Sequence, residues 1–172
     1  MGAGAILIAA FAVQLIAGEP PCPLCMVQRV ALMLCALGPL HMLVQARDGV
    51  LTGRDVAVGN GIAILSALVG VVASSRQVLL HILPGDAGFG SPLLGLHLYT
   101  WCLTAFICQI AASGVMLIAT GWLSEQKVTA RLTQFTAGAF VVVVIANLMS
   151  VIAEAGLAWD LSPDPVGYLL FK

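Results

Sequence analysis

Charge is scarce in this chain. Only 9% of its 172 residues are Asp, Glu, Lys or Arg, against about a quarter in an ordinary soluble domain. With 60% apolar residues and a mean hydropathy of +1.06, a soluble globular domain is excluded and an integral membrane protein is indicated. The 7 basic and 8 acidic residues nearly cancel, and no basic patch points to nucleic acid. No stretch is long and polar enough to link two domains, so the chain reads as a single transmembrane domain over residues 1–172. Internal repeats and low-complexity segments are absent too.

What the chain does have is five apolar runs. The expected spans cover residues 2–18, 26–44, 56–73, 97–122 and 135–155, which makes an all-α helical membrane bundle. The first run sits near the lower limit for a span, about 17 residues. A cleaved signal peptide is the alternative, but the basic leader such a peptide carries is missing. A start site placed too far downstream would also account for the shortness. Glu19–Leu24 is a tight connection. Ala46–Asp55, with Arg47, Gly49, Gly53 and Arg54, reads as a polar loop. Ser74–Leu83 is amphipathic and is broken by Pro84-Gly85-Asp86 and by Gly88 to Pro92. Tyr99 and Trp101 open the fourth span as an interface pair. Ser124–Thr133 is polar, and Trp159–Lys172 is an irregular tail with two prolines.

One polar motif interrupts the apolar runs. Cys22-Pro23-Leu24-Cys25 falls where the second span begins. Pro23 suits the first turn of a helix, where the N–H it lacks would go unpaired anyway. Cys22 then lies at the cap and Cys25 in the first turn. The partial positive charge of a helix start favours thiolate over thiol. Arg29 lies four residues beyond Cys25, on the same helix face and one turn deeper. A charge within a span is expensive and is a functional candidate by default. A snorkelling arginine is the plainer reading, but it leaves the register with Cys25 unexplained. The cysteines have plainer readings as well, a structural disulfide or half of a metal site. A disulfide closing so short a loop gains little. A zinc site needs about four ligands, which His81 and His97 on the same membrane side would supply as a Cys2His2 set.

The Cys-Pro-Leu-Cys pattern with Arg29, just after a first span, resembles the disulfide bond formation protein B (DsbB) family of membrane thiol oxidases. The resemblance covers roughly Ala3 to Ala119, four spans, with the fifth helix added to a four-helix core. It implies a bacterial inner-membrane thiol:quinone oxidoreductase. Electrons would pass from a periplasmic thioredoxin-like (DsbA-like) partner through Cys22 and Cys25 to a bound ubiquinone or menaquinone. Cys22 would exchange disulfides, Cys25 would face the quinone, and Arg29 would help hold it. Gln77 and His81, with Arg76, lie on the segment that helps cover the quinone in the family. The family's usual second cysteine pair, in the outer loop between the third and fourth spans, is missing, because Ser74–Leu96 holds no cysteine. The rival functions are a non-catalytic membrane subunit that keeps the fold, and a metal-binding membrane protein.

The remaining polar and thiol residues have bland readings. The five cysteines are an odd number, so at least one stays unpaired in a monomer. Cys35, Cys102 and Cys108 read as small apolar residues buried in helices. Cys102 and Cys108 cannot bridge within one helix, because six residues give about 9 Å of rise. Cys102 enters the membrane from the Cys25 side at a depth close to that of Arg29, so it is the candidate third thiol. His97 reads as an interface residue. His41 lies toward the face opposite the cysteines, and Asn147 and Glu154 would pair within the bundle or reach the outer surface.

Orientation follows from the basic residues. Arg47, Arg54, Lys127 and Arg131 share one side, against Arg76 and Lys172 on the other. That bias places the amino terminus in the cytoplasm and Cys22 and Cys25 on the periplasmic, oxidising side. Single cysteines placed in Ala46–Asp55 should therefore resist membrane-impermeant maleimide in intact cells. Labelling there would reverse the topology.

Overall fold

The computed structural model describes residues 2–16, 18, 20–120, 129–156 and 167–171. It is built from α1 (Gly2–Ile16), α2 (Pro23–Asp48), α3 (Gly53–Leu80), α4 (Leu98–Ala119) and α5 (Ala130–Ala155), with a short 3-10 turn at Leu169–Phe171. Among the described residues the only β pairing is an isolated bridge between Leu93 and Leu96. The all-α bundle expected from the sequence is what forms. Among the described residues four helices are long and apolar enough to cross a membrane: Pro23–Arg47, Gly53–Leu80, Leu98–Ala119 and Ala130–Ala155. The described part of α1 has 15 residues, about 22 Å at 1.5 Å per residue. Half of the expected Ser124–Thr133 loop, including Lys127, and most of the Trp159–Lys172 tail lie outside the described residues.

Helices α2, α3 and α5 run past the apolar segments that announce them. Thr52 caps α3 and forms a full capping box with Asp55. The Asp55 backbone N–H reaches Thr52 Oγ1 at 3.3 Å, and the Thr52 N–H reaches Asp55 Oδ2 at 3.0 Å. This pulls most of the expected Ala46–Asp55 loop into helix ends, because the cap satisfies backbone donors that would otherwise need water. At the other end, the amphipathic Ser74–Leu83 is no separate segment. Most of it is the last stretch of α3, which runs unbroken to Leu80.

Small residues hold the bundle together. Lipid tails are as apolar as leucine, so membrane helices associate by close packing more than by hydrophobic burial. The buried side of α3 carries Gly59, Ala63, Ala67, Gly70, Ala73 and Ser74 at spacings of mainly three and four. That stripe lets α3 pack against both α2 and α4. At its far end the backbones nearly touch, and a Cβ on Gly38 of α2 would collide with the Gly59 carbonyl oxygen. Nearer the cysteines, Gly70 receives the ring of Phe106 from α4, which is fully buried. Leu32, Cys35, Ala67, Cys102 and Phe106 complete the core between these helices.

Cys35 and Cys102 are buried as expected, but Cys108 is not. It is exposed on the outer face of α4, because six residues beyond Cys102 the helix has turned that position away from the bundle.

Gly38→Ala should lower stability by about 1–3 kcal/mol, the usual cost of forcing extra atoms into a packed interface. Ala105→Gly at a half-buried α4 position should cost no more than the roughly 1 kcal/mol of helix propensity. Thermal unfolding in detergent compares the two.

Candidate functional site

The start of α2 forms as the motif predicts. Cys22 is the N-cap, its sulfur accepts the Cys25 backbone N–H at 3.1 Å, and Pro23 opens the helix. Cys25 is half-buried, and Cys22, the outer of the pair by position, is buried. Both are free thiols. The Cys22 thiol is pushed well above the ordinary cysteine range. The main cause is the side-chain hydrogen bond with Cys25, followed by burial.

Gln77, near the end of α3, sits between the two sulfurs. Its amide nitrogen donates to Cys22 Sγ at 3.3 Å and to Cys25 Sγ at 3.5 Å. The amide is held in turn by Gln28, whose Nε2 donates to Gln77 Oε1 at 2.7 Å. Gln28 and Gln77 are both buried.

The sulfurs face different spaces. Cys22 lines an outer groove with Arg76, Gln77, Leu80, His81 and Phe89. Cys25 lines an apolar pocket of about 60 Å³, together with Arg29, Cys102, Tyr99 and residues of α1 and of the 89–93 segment. Of the residues expected to hold a cofactor, Arg29 lines this pocket, whereas Gln77 and His81 line the groove on the Cys22 side. Cys102 shares the pocket with Cys25, at the depth the sequence suggested.

Arg29 is buried, and both of its terminal nitrogens donate to α1. Its Nη1 donates to Gln14 Oε1 at 2.6 Å and its Nη2 to the Ala10 carbonyl at 3.0 Å. The guanidinium carbon also stands 5.0 Å from the centre of the Phe11 ring. All three partners belong to α1, so this arginine does not snorkel to the surface. Gln14 and Gln28 went unnoticed in the sequence. The signal was available for Gln14, which is the only polar side chain in the first apolar run.

The segment between α3 and α4 is folded down over the cysteines. Tyr99 is stacked between His81 and His97, with ring centres 5.7 and 5.3 Å away. His97 Nδ1 meets the Gly90 carbonyl at 3.0 Å, and Trp101 Nε1 donates to the Leu93 carbonyl at 3.0 Å. Gly88 packs on the His97 ring with φ +72°, where a side chain would both clash and strain the backbone. Among the described residues, no three His, Cys, Asp or Glu side chains gather closely enough to hold a metal ion.

The model of the family "Disulfide bond formation protein DsbB" matches residues 1–116. Disulfide bond formation protein B of Chromobacterium violaceum is 44% identical over 84 residues, 49% of this chain and 48% of that protein. Disulfide bond formation protein B 1 of Pseudomonas savastanoi pv. phaseolicola is 31% identical over 133 residues, 60% of this chain and 76% of that protein. The chain thus matches about half the length of the first relative and about three quarters of the second. No solved structure matches.

Asp86 anchors the folded-down segment. It accepts the Gly88 N–H at 2.8 Å and meets His81 Nδ1 at 3.1 Å. These contacts, the Gly88 N–H foremost, hold its carboxyl below the usual carboxylate range. A depressed carboxyl stabilises the fold above its unfolded value near 4, and that contribution is lost as pH falls through the lower folded value. Asp86→Asn should therefore speed proteolytic cutting of residues 84–96 a few-fold at pH 7. The difference from the parent should close at pH values below the ordinary carboxylate range.

Proposed function

Because the chain belongs to the DsbB family of disulfide bond formation proteins, we propose that it is a thiol–disulfide oxidoreductase of the bacterial inner membrane. It takes electrons from a periplasmic thioredoxin-like protein and passes them through Cys22 and Cys25 to a quinone. One observation carries this reading: the two sulfurs flank a single glutamine amide yet open onto two separate spaces. One space is suited to a protein's cysteine and the other to a flat apolar molecule.

The exchange half uses the groove. With the pair oxidised, a partner thiolate attacks Cys22 Sγ, and the Cys22–Cys25 bond breaks with Cys25 leaving as thiolate. The partner's second thiolate then attacks the partner sulfur of the mixed disulfide and releases Cys22. The partner is oxidised by two electrons and the pair is reduced by two. Departure of Cys25 is eased by its first-turn position and by Arg29 one turn below it. The Gln77 amide, donating to both sulfurs, steadies the pair as charge moves between them.

The second half uses the pocket. Its apolar walls and single cationic donor beside a thiol fit a ring with carbonyl oxygens, with Arg29 as the residue that would hold an oxygen. A bound quinone would supply the two-electron acceptor for the pair. Gln77 and His81 bear on the cofactor indirectly, through Cys25 and through the His81 stack on Tyr99, which lines the pocket.

No cysteine in Ser74–Leu96 can carry the exchange outward, so the partner brings its own cysteine to Cys22. In Cys25→Ser the lone Cys22 thiolate can attack the oxidised partner's disulfide but has no neighbour to complete the exchange, so this variant should accumulate a reductant-sensitive complex with a soluble thioredoxin-like protein, and Cys22→Ser should not. Cys102→Ala should leave this trapping unchanged. If Cys25→Ser traps nothing while Cys22 still reacts with an alkylating agent, the non-catalytic reading of the fold takes its place.

A further inference from the structure

The fifth helix is exposed along nearly its whole length. Phe135, Val142, Met149 and Leu148 face outward, while the side chains buried on it are polar apart from one alanine: Thr133, Asn147, Glu154 and Ala155. Asn147, Ser150 and Glu154 follow at spacings of three and four, which places them on one face. Burying such a stripe in a membrane helix is costly unless its groups are used. Neither Glu154 oxygen, nor Asn147 Oδ1, has a hydrogen-bond partner among the described residues.

Ser150 shows what the stripe is turned toward. Gln14 Nε2 donates to Ser150 Oγ at 2.7 Å and to the Tyr168 hydroxyl at 3.2 Å, and Ser150 Oγ returns a bond to Gln14 Oε1 at 3.0 Å. The same Oε1 accepts from Arg29. An amide can turn over, and in the flipped state its NH₂ would confront the guanidinium, donor against donor. Acceptors on the far side hold the productive orientation. Ser150 and Tyr168 are those acceptors, and both lie beyond the residues that the family model matches.

We propose that the fifth helix and the segment after it form part of the redox site, with Gln14, Ser150 and Tyr168 as positioning residues that aim Arg29 at Cys25 and at the quinone pocket. This rests on the function proposed above and adds a component outside its four-helix core. The titratable groups facing Arg29 are Cys25 on its own helix, Cys102 on α4, Glu154 on α5 and Tyr168. α1 carries none.

The test uses the full chain in detergent, in a Cys22→Ser background. The readouts are the pH midpoint of Cys25 alkylation and the affinity for a short-chain benzoquinone. Gln14→Ala and the double variant Ser150→Ala/Tyr168→Phe should each raise the midpoint and weaken quinone binding several-fold, in the same direction as Arg29→Met but less far. Gln14→Glu should restore much of the quinone affinity lost in Gln14→Ala, because its oxygens still accept from Arg29. Leu148→Ala, on the exposed face of α5, should change neither readout. Tyr168→Phe alone keeps the ring and guards against simple misfolding. If Arg29→Met moves both readouts while the Gln14, Ser150 and Tyr168 variants move neither, this inference falls and the proposed function stands. If Arg29→Met itself moves neither, the proposed function falls and takes the inference with it.

Discussion

A guanidinium inside a membrane bundle needs polar partners, and much of this molecule is arranged around that requirement. Placing an arginine at the centre of a span costs about 3 kcal/mol on insertion scales. Two hydrogen bonds from a charged donor, each contributing about 1.5–3 kcal/mol, offset this. Arg29 obtains both from α1, from Gln14 and the Ala10 carbonyl, with the Phe11 ring alongside. That explains why a helix of only 15 residues is held in the bundle: it supplies the acceptors α2 needs. The satisfied arginine still borders the pocket that Cys25 lines, so its charge remains available there.

The thiols depend on a second polar set, supplied by α2 and α3. Gln28 holds Gln77, and Gln77 donates to both sulfurs. For that amide to reach the cysteines, α3 must lie close against α2 over its whole length. The glycine and alanine stripe makes this possible, with Gly38 against Gly59 at one end and Gln77 against the cysteines at the other. Close packing at the far end of the bundle and chemistry at the near end are thus one constraint. The segment between α3 and α4, pinned by the His81–Tyr99–His97 stack, closes the near end and contributes walls to both spaces.

Cys22 shows what tertiary packing adds to position along the chain. By position it is the outermost thiol, and its cap role is what the motif foretells. Yet it is buried beside Gln77, at the wall of the outer groove.

The sequence alone determined the solvent, the helices and the cysteine-capped turn. Scarce charge and long apolar runs have one stable outcome, helices in lipid, because backbone groups must be satisfied internally there. Proline after a cysteine cap, with an arginine one turn beyond the second cysteine, is local geometry, and local geometry is legible from spacing. What the residues touch was not. Gln14, Gln28, Ser150 and Tyr168 draw their meaning from partners up to 154 positions away. Cys108 turned outward because only the bundle decides which face of α4 is inside. The division of Cys22 and Cys25 between a groove and a pocket likewise exists only once α1, α3, α4 and the 81–97 segment converge on the start of α2. No spacing along one helix encodes the place where other helices will meet it.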